Sequence, residues 1–169
     1  MTALMRTLVL GFLVFSAPAW ADRVDFTGAW KLDEGASDTM EAVLALEDVG
    51  WAKRKLVESL DAEVVIQQDA GKLIATFDNL LGDAKQQLFF DGKPHETVNP
   101  AGFAATFTTQ WLDDRTMVAT GPSSGESGSP GTLTETRSLS ADGKTMQLVV
   151  KVTAADGRSA TSKRVFKRQ

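Results

Sequence analysis

Glu63-Val64-Val65-Ile66-Gln67-Gln68-Asp69-Ala70-Gly71-Lys72-Leu73-Ile74-Ala75-Thr76-Phe77 decides the fold of this chain. Two runs rich in β-branched and apolar residues flank Asp69-Ala70-Gly71, whose residues tolerate a tight turn, so the stretch reads as a β-hairpin. The same unit recurs to the end of the sequence. Strands are expected near Asp83–Phe90, His95–Asn99, Phe103–Trp111, Thr116–Thr120, Thr132–Leu139, Thr145–Val152 and Arg158–Lys167. Asp91-Gly92, Asp113-Asp114, Asp142-Gly143 and Asp156-Gly157 supply the turns between them. Hairpins joined this tightly imply an antiparallel, up-and-down meander.

The exception is Gly121 to Gly131, polar and rich in glycine, which reads as a mobile connector between two long strands. On the other side of the hairpin the pattern changes. Asp38 stands three residues before Glu41, the spacing of a capping box, and Met40, Val43 and Leu44 then recur at helical spacing. Gly50 is placed to stop that helix. A second helix is expected over Trp51–Leu60, with Leu56 and Leu60 one turn apart and Lys53, Arg54 and Glu58 left for solvent. The helical pair follows a first strand at Phe26–Leu32.

Before that strand, Arg6 precedes an apolar stretch from Leu8 to Phe15, and Ala19-Trp20-Ala21 supplies a small-x-small cleavage signal. Residues 1–21 therefore read as a signal peptide and 22–169 as a single β-barrel domain exported to the periplasm or beyond the cell. The apolar stretch is shorter than the ~20 residues of a spanning helix, so no stable membrane insertion is expected. There is no cysteine, and the domain must fold on its core without disulfides. A formal net charge of −4 with scattered lysines offers no footprint for nucleic acid.

Alternation places Phe103, Ala105, Phe107, Thr109 and Trp111 on one strand face and Ala104, Thr106, Thr108 and Gln110 on the other. About ten such strands form either a sandwich with a filled core or a closed ring, and closure removes exposed edges. A barrel wider than the roughly eight strands that side chains alone can fill encloses a ligand cavity.

Phe26, Gly28, Trp30 and Lys31, the helix pair with its Met40-x-x-x-Leu44 face and Lys53-Arg54-Lys55 run, the strand at Val65–Gly71, and the terminal Arg164-Val165-Phe166 together resemble the fatty-acid-binding proteins of the calycin group. The chain also resembles small exported bacterial proteins described as lipocalin-like. They share the Leu139-Ser140-Ala141-Asp142-Gly143-Lys144-Thr145 hairpin and the closing Val165-Phe166-Lys167. The first resemblance implies a mainly β fold, a closed barrel of about ten strands with a helix-turn-helix lid. It further implies a ligand carboxylate bound by Arg164, with Phe166 where the family has tyrosine and Thr106 near the place of a second arginine. Phe77, Phe107 and Phe166 would line the cavity, and Met40, Leu44 and Leu56 would form the lid face. The calycin likeness gives Trp30 a structural role, plugging the closed end beneath Arg168 or Arg164, with Gly28 part of the same motif.

Catalysis has little to draw on. The single histidine, His95, sits beside a turn, and a haem role for it has no supporting second ligand or motif. Ser123-Ser124-Gly125 has no neighbouring base, and Asp113-Asp114 falls at a turn. No metal-ligand spacing is present, and no cofactor is expected. The expected function is a non-enzymic, monomeric carrier of a small lipophilic ligand, a fatty acid or similar amphiphile held inside the barrel. The alternative is an envelope interaction domain with a packed core and no physiological ligand.

Overall fold

In a computed structural model, residues 23–58, 63–78, 84–99, 104–123, 128 and 130–169 are described. The expected signal peptide lies outside them, as do Leu60, Phe103 and residues 124–127, and of Leu56 only the backbone is described. Ten strands form one antiparallel sheet. They are β1 Gly28–Leu32, β2 Glu63–Gln68, β3 Lys72–Asp78, β4 Ala84–Phe89, β5 Pro94–Val98, β6 Ala104–Trp111, β7 Thr116–Ser123, β8 Gly131–Leu139, β9 Thr145–Ala154 and β10 Ser159–Arg168. Their order across the sheet is β4-β3-β2-β1-β10-β9-β8-β7-β6-β5. The first and last strands are therefore neighbours, with Trp30 opposite Arg168 and Leu32 opposite Phe166.

This order makes a nearly closed barrel and rules out the sandwich. No backbone ladder joins β4 to β5. Side chains bridge that seam: the amide of Gln87 donates to Thr97 Oγ1 at 2.7 Å, and the rings of Phe89 and His95 stack with centroids 4.3 Å apart. His95 Nε2 also lies 3.0 Å from both carboxylate oxygens of Asp91.

Alternation sets the core. Val64 and Ile66, Leu73 and Ala75, Met146, Leu148, Val150 and Val152 all point inward and are buried. Gly121 on β7 has a packing reason to lack a side chain, since a Cβ there would sit 1.8 Å from the carbonyl oxygen of Thr106 on β6. β7 and β8 also run further than the polar composition of 121–131 suggests. Gly121, Pro122 and Ser123 pair with Leu133, Thr132 and Gly131, because neighbouring strands supply the pairing that local composition does not.

Two helices follow β1: α1 Glu41–Leu46 and α2 Trp51–Glu58. Here the local signals mislead. Asp38 does not cap α1, whose N-cap is Met40 without a side-chain bond. The Asp38 carboxylate instead accepts from the amide of Lys163 at 3.0 Å, and its own amide donates to the Lys163 carbonyl, extending the edge of β10. α1 ends at Leu46 with Asp48 in the left-handed region at φ 57°, a conformation aspartate tolerates, so the stop comes before Gly50. Arg54 is not left to solvent. Its Nε donates to Glu41 Oε1 at 2.9 Å and its Nη1 to the Val49 carbonyl at 2.6 Å, tying α2 to α1. Ser123 Oγ in turn donates to Glu47 Oε1 at 2.5 Å, linking the lid to β7. Val43 and Leu44 are the buried face of α1, and Met40 packs partly buried against the core.

Candidate functional site

Trp30, on β1 opposite Arg168 of β10, is 1% exposed. Its indole Nε1 donates to the Phe26 carbonyl at 2.9 Å, and the guanidinium carbon of Arg168 stands 4.3 Å over its ring. Arg168 donates from Nε to the Gly143 carbonyl at 2.9 Å and from Nη1 to the Thr27 carbonyl. Gly28 makes room for this cover: at φ 143° it adopts a backbone most residues avoid, and a Cβ would come 2.7 Å from Arg168 Nη1. Arg168, not Arg164, is the cation over Trp30. A recess of about 190 Å³ opens nearby, lined by Arg23, Asp25, Gln68, Asp69, Ala70, Phe90 and Trp111.

A different environment occupies the rows above. The register sets Thr109, Ala119, Glu135, Val150 and Ser162 side by side across β6 to β10. The adjacent inward row reads Trp111, Met117, Arg137, Leu148 and Arg164. With strands about 4.8 Å apart, Thr109 and Ser162 each lie roughly 10 Å along the row from Glu135. Thr109, Glu135, Arg137 and Ser162 are all at most 1% exposed.

Glu135 and Arg137 would be costly to bury without partners. Gln86, on β4 and also buried, joins them. Its Nε2 donates to both Glu135 oxygens, at 3.2 and 3.0 Å, and its Oε1 accepts from Arg137 Nη2 at 2.6 Å. Arg137 Nη2 and Glu135 Oε2 are 3.5 Å apart, too far for a close charge-assisted bond. Burial pushes the Glu135 carboxyl above the ordinary glutamate range, with Arg137 and then Gln86 pulling the other way. Burial likewise lowers the affinity of Arg137 for its proton, opposed by Glu135.

These groups are incompletely satisfied. Among the described residues, buried side-chain atoms without a hydrogen-bond partner include Arg137 Nη1, Thr109 Oγ1 and Ser162 Oγ, together with Trp111 Nε1 in the Arg137 row. A fifth, Glu41 Oε2, is on the lid. Native interiors pair nearly all such atoms, so a group of them on two adjacent inward rows calls for an explanation.

The sequence-expected residues fall around this strip unequally. Phe77, Phe107 and Phe166 are buried in the core. Arg164 shares the Arg137 row but is only half-buried, and its Nη1 donates to the Asp38 carbonyl at 3.2 Å, tethering β10 to the segment before the lid. Thr106 lies on the strand face opposite Phe107 and Thr109, pairs with Glu96 of β5, and cannot stand in for an interior arginine. The buried arginine comes from β8. Its signal is present in Leu133-x-Glu135-x-Arg137-x-Leu139, where two charged residues share the face of two leucines.

No protein-family model matches the chain, and no curated protein does. Solved structures do. A fatty acid transporter designated REP1-NXSQ superposes with a TM-score of 0.65 at 17% identity, covering 85% of this chain and 95% of that one. A Schistosoma mansoni fatty acid binding protein in complex with arachidonic acid gives 0.64 at 19% identity, covering 90% and 99%. Zebrafish ileal bile acid-binding protein complexed with cholic acid gives 0.63 at 13% identity, covering 85% and 98%. Ten strands in this order, a seam between the fourth and fifth, and a helical pair after the first give this chain the fold of the fatty-acid-binding barrels.

Proposed function

We propose that this chain is an exported, non-enzymic carrier that holds a lipophilic amphiphile inside the barrel, with the polar end of the ligand at the buried polar strip around Arg137. The observation that carries the reading is the set of buried, unpartnered hydrogen-bonding atoms Arg137 Nη1, Thr109 Oγ1 and Ser162 Oγ on the inward face of a ten-stranded ring. An unpaired buried polar atom costs about 1–3 kcal/mol, and a bound head group recovers that cost. The amphiphile's chain would lie against Phe77, Phe107 and Phe166, with Met40 and Leu44 closing over it. Burial of the chain contributes about 0.8 kcal/mol per methylene before entropic losses. The names of the structural neighbours, which describe fatty acid and bile acid binders, agree with this class of ligand. Export rests on the leader-like residues 1–21, and a monomer is the simplest state for a carrier of this kind.

The test is thermal melting of delipidated protein with and without added amphiphiles, beside fluorescent-probe titration. A carrier gains stability with ligand concentration as mass action requires. Unchanged melting and no saturable binding across fatty acids, fatty alcohols and bile acids would overturn the reading in favour of an interaction domain. Cell fractionation of the full chain tests the exported location, and retention of the tagged protein in the cytoplasm would overturn it.

A further inference from the structure

Resting on the carrier reading, we infer that the head group held at this strip is uncharged, an amide, alcohol or ester, and not a carboxylate. The argument is one of charge and donor count. Among the described residues, the buried polar side chains are Gln86, Thr109, Glu135, Arg137 and Ser162. Their only charges are one cation and one anion, held together through the Gln86 amide. Among these five residues the charges are already balanced. A carboxylate at Arg137 would set a second negative charge close to the buried Glu135, and like charges juxtaposed away from solvent oppose binding.

The free hydrogen-bonding capacity points the same way. Arg137 Nη2 is taken by Gln86 Oε1, which leaves Nη1 as the unpartnered nitrogen. A carboxylate is best met by two parallel N–H donors, whereas a carbonyl or hydroxyl oxygen needs only one. Thr109 Oγ1 and Ser162 Oγ, on either side of Glu135 in its row, can each donate or accept. Along that row they lie about 20 Å apart, so a head group at Arg137 meets at most one of them, and either one suits a group that is donor and acceptor at once. Arg164, the other cation of these rows, is engaged with the Asp38 carbonyl at the lid and does not offset a further anion at the strip.

The experiment is displacement of N-phenylnaphthylamine from the delipidated protein, in mildly alkaline solution, by hexadecanamide, hexadecanol and hexadecanoate. The expected result is that amide and alcohol displace the probe at least about tenfold more tightly than the acid. Equal or tighter displacement by hexadecanoate overturns the head-group inference and leaves the carrier reading standing. Displacement by none of the three overturns the carrier reading itself. Glu135→Gln, which keeps the shape and removes the anion, should reverse the order, with hexadecanoate now the tightest of the three and raising the melting temperature of the variant. An unchanged order in a folded Glu135→Gln protein overturns the inference, and the wild-type order decides it alone if that variant does not fold.

Discussion

Trp30 and Arg137 are both large, both about 1% exposed, and both on the inward face of the same sheet, yet their surroundings differ in kind. Trp30 has its one donor paired with Phe26 and a cation laid over its ring, and that cation is itself bonded to two carbonyls. Arg137 is buried at greater cost, lies 3.5 Å from its counter-charge, and keeps a nitrogen without a partner. A group buried to hold a fold together is satisfied by the fold. A group buried to receive something else retains bonding capacity, and native interiors pair nearly every buried polar atom.

The sharpest way to break this contrast is at Trp30. Trp30→Ala removes an anchor of the core and should cost about 3–5 kcal/mol by denaturant unfolding. If the variant unfolds at the wild-type midpoint, the cluster around Trp30 is not structural. The converse experiment replaces Gln86, Glu135 and Arg137 together by Leu, Leu and Met. Buried ionic groups exchanged for apolar ones of similar volume commonly leave stability unchanged or raise it by about 1–4 kcal/mol. This triple variant should be at least as stable as wild type and should lose saturable displacement of the probe by amphiphiles. Retention of wild-type displacement would show that the strip is not the polar end of the site.

Smaller effects refine the picture. Gly28→Ala forces an L residue into φ 143° and presses a Cβ toward Arg168, with an expected loss of about 1–3 kcal/mol. Arg168→Met should lose about 1 kcal/mol, mainly the cation–π contact, with ligand preference unchanged; a change in preference would connect the Trp30 cluster to the proposed binding strip.

The least effect expected is a change of slope with pH. The folded-state pKa of Glu135 is raised by burial, so the native protein binds more protons than the unfolded chain between the ordinary glutamate value and the folded one. Stability therefore falls as pH rises through that window, and Glu135→Gln should flatten the fall. The exposed turn aspartates Asp69, Asp91, Asp142 and Asp156 are lowered, chiefly by hydrogen bonds from nearby backbone amides and, for Asp142, from Ser140. Their contribution is present above the ordinary aspartate value and is lost in both proteins at lower pH. Parallel profiles for wild type and variant across the upper window would mean that the Glu135 carboxyl ionises as readily in the folded protein as in the unfolded chain.

The difference between the two regions also explains what the sequence makes legible. Strands and turns can be read closely because Asp-Gly pairs and alternation are local properties of the chain, and β2 begins and ends where its own residues indicate. The approach to the lid is less legible. Asp38 has a capping residue's spacing, but β10, more than a hundred positions away, takes its carboxylate. The buried polar strip is the hardest to see, because glutamate and arginine in a strand ordinarily face water. Only their sharing a face with Leu133 and Leu139 shows otherwise. Thr106 illustrates the opposite error, in which a position carried over by alignment falls on the outer face of its strand.

The seam between β4 and β5 separates continuity of chain from continuity of structure. The two ends of the described chain are fastened to each other, since β1 and β10 are laddered neighbours. The wall is instead interrupted in mid-sequence, where a hairpin turn is the covalent link and side chains provide the rest. Mechanically the barrel is a strip rolled shut, and its weakest generator line runs beside Gln87, Phe89, His95 and Thr97. Unrolling along that line leaves every other strand pairing intact, so β4 and β5 are where the wall can part while the plug at Trp30 stays whole.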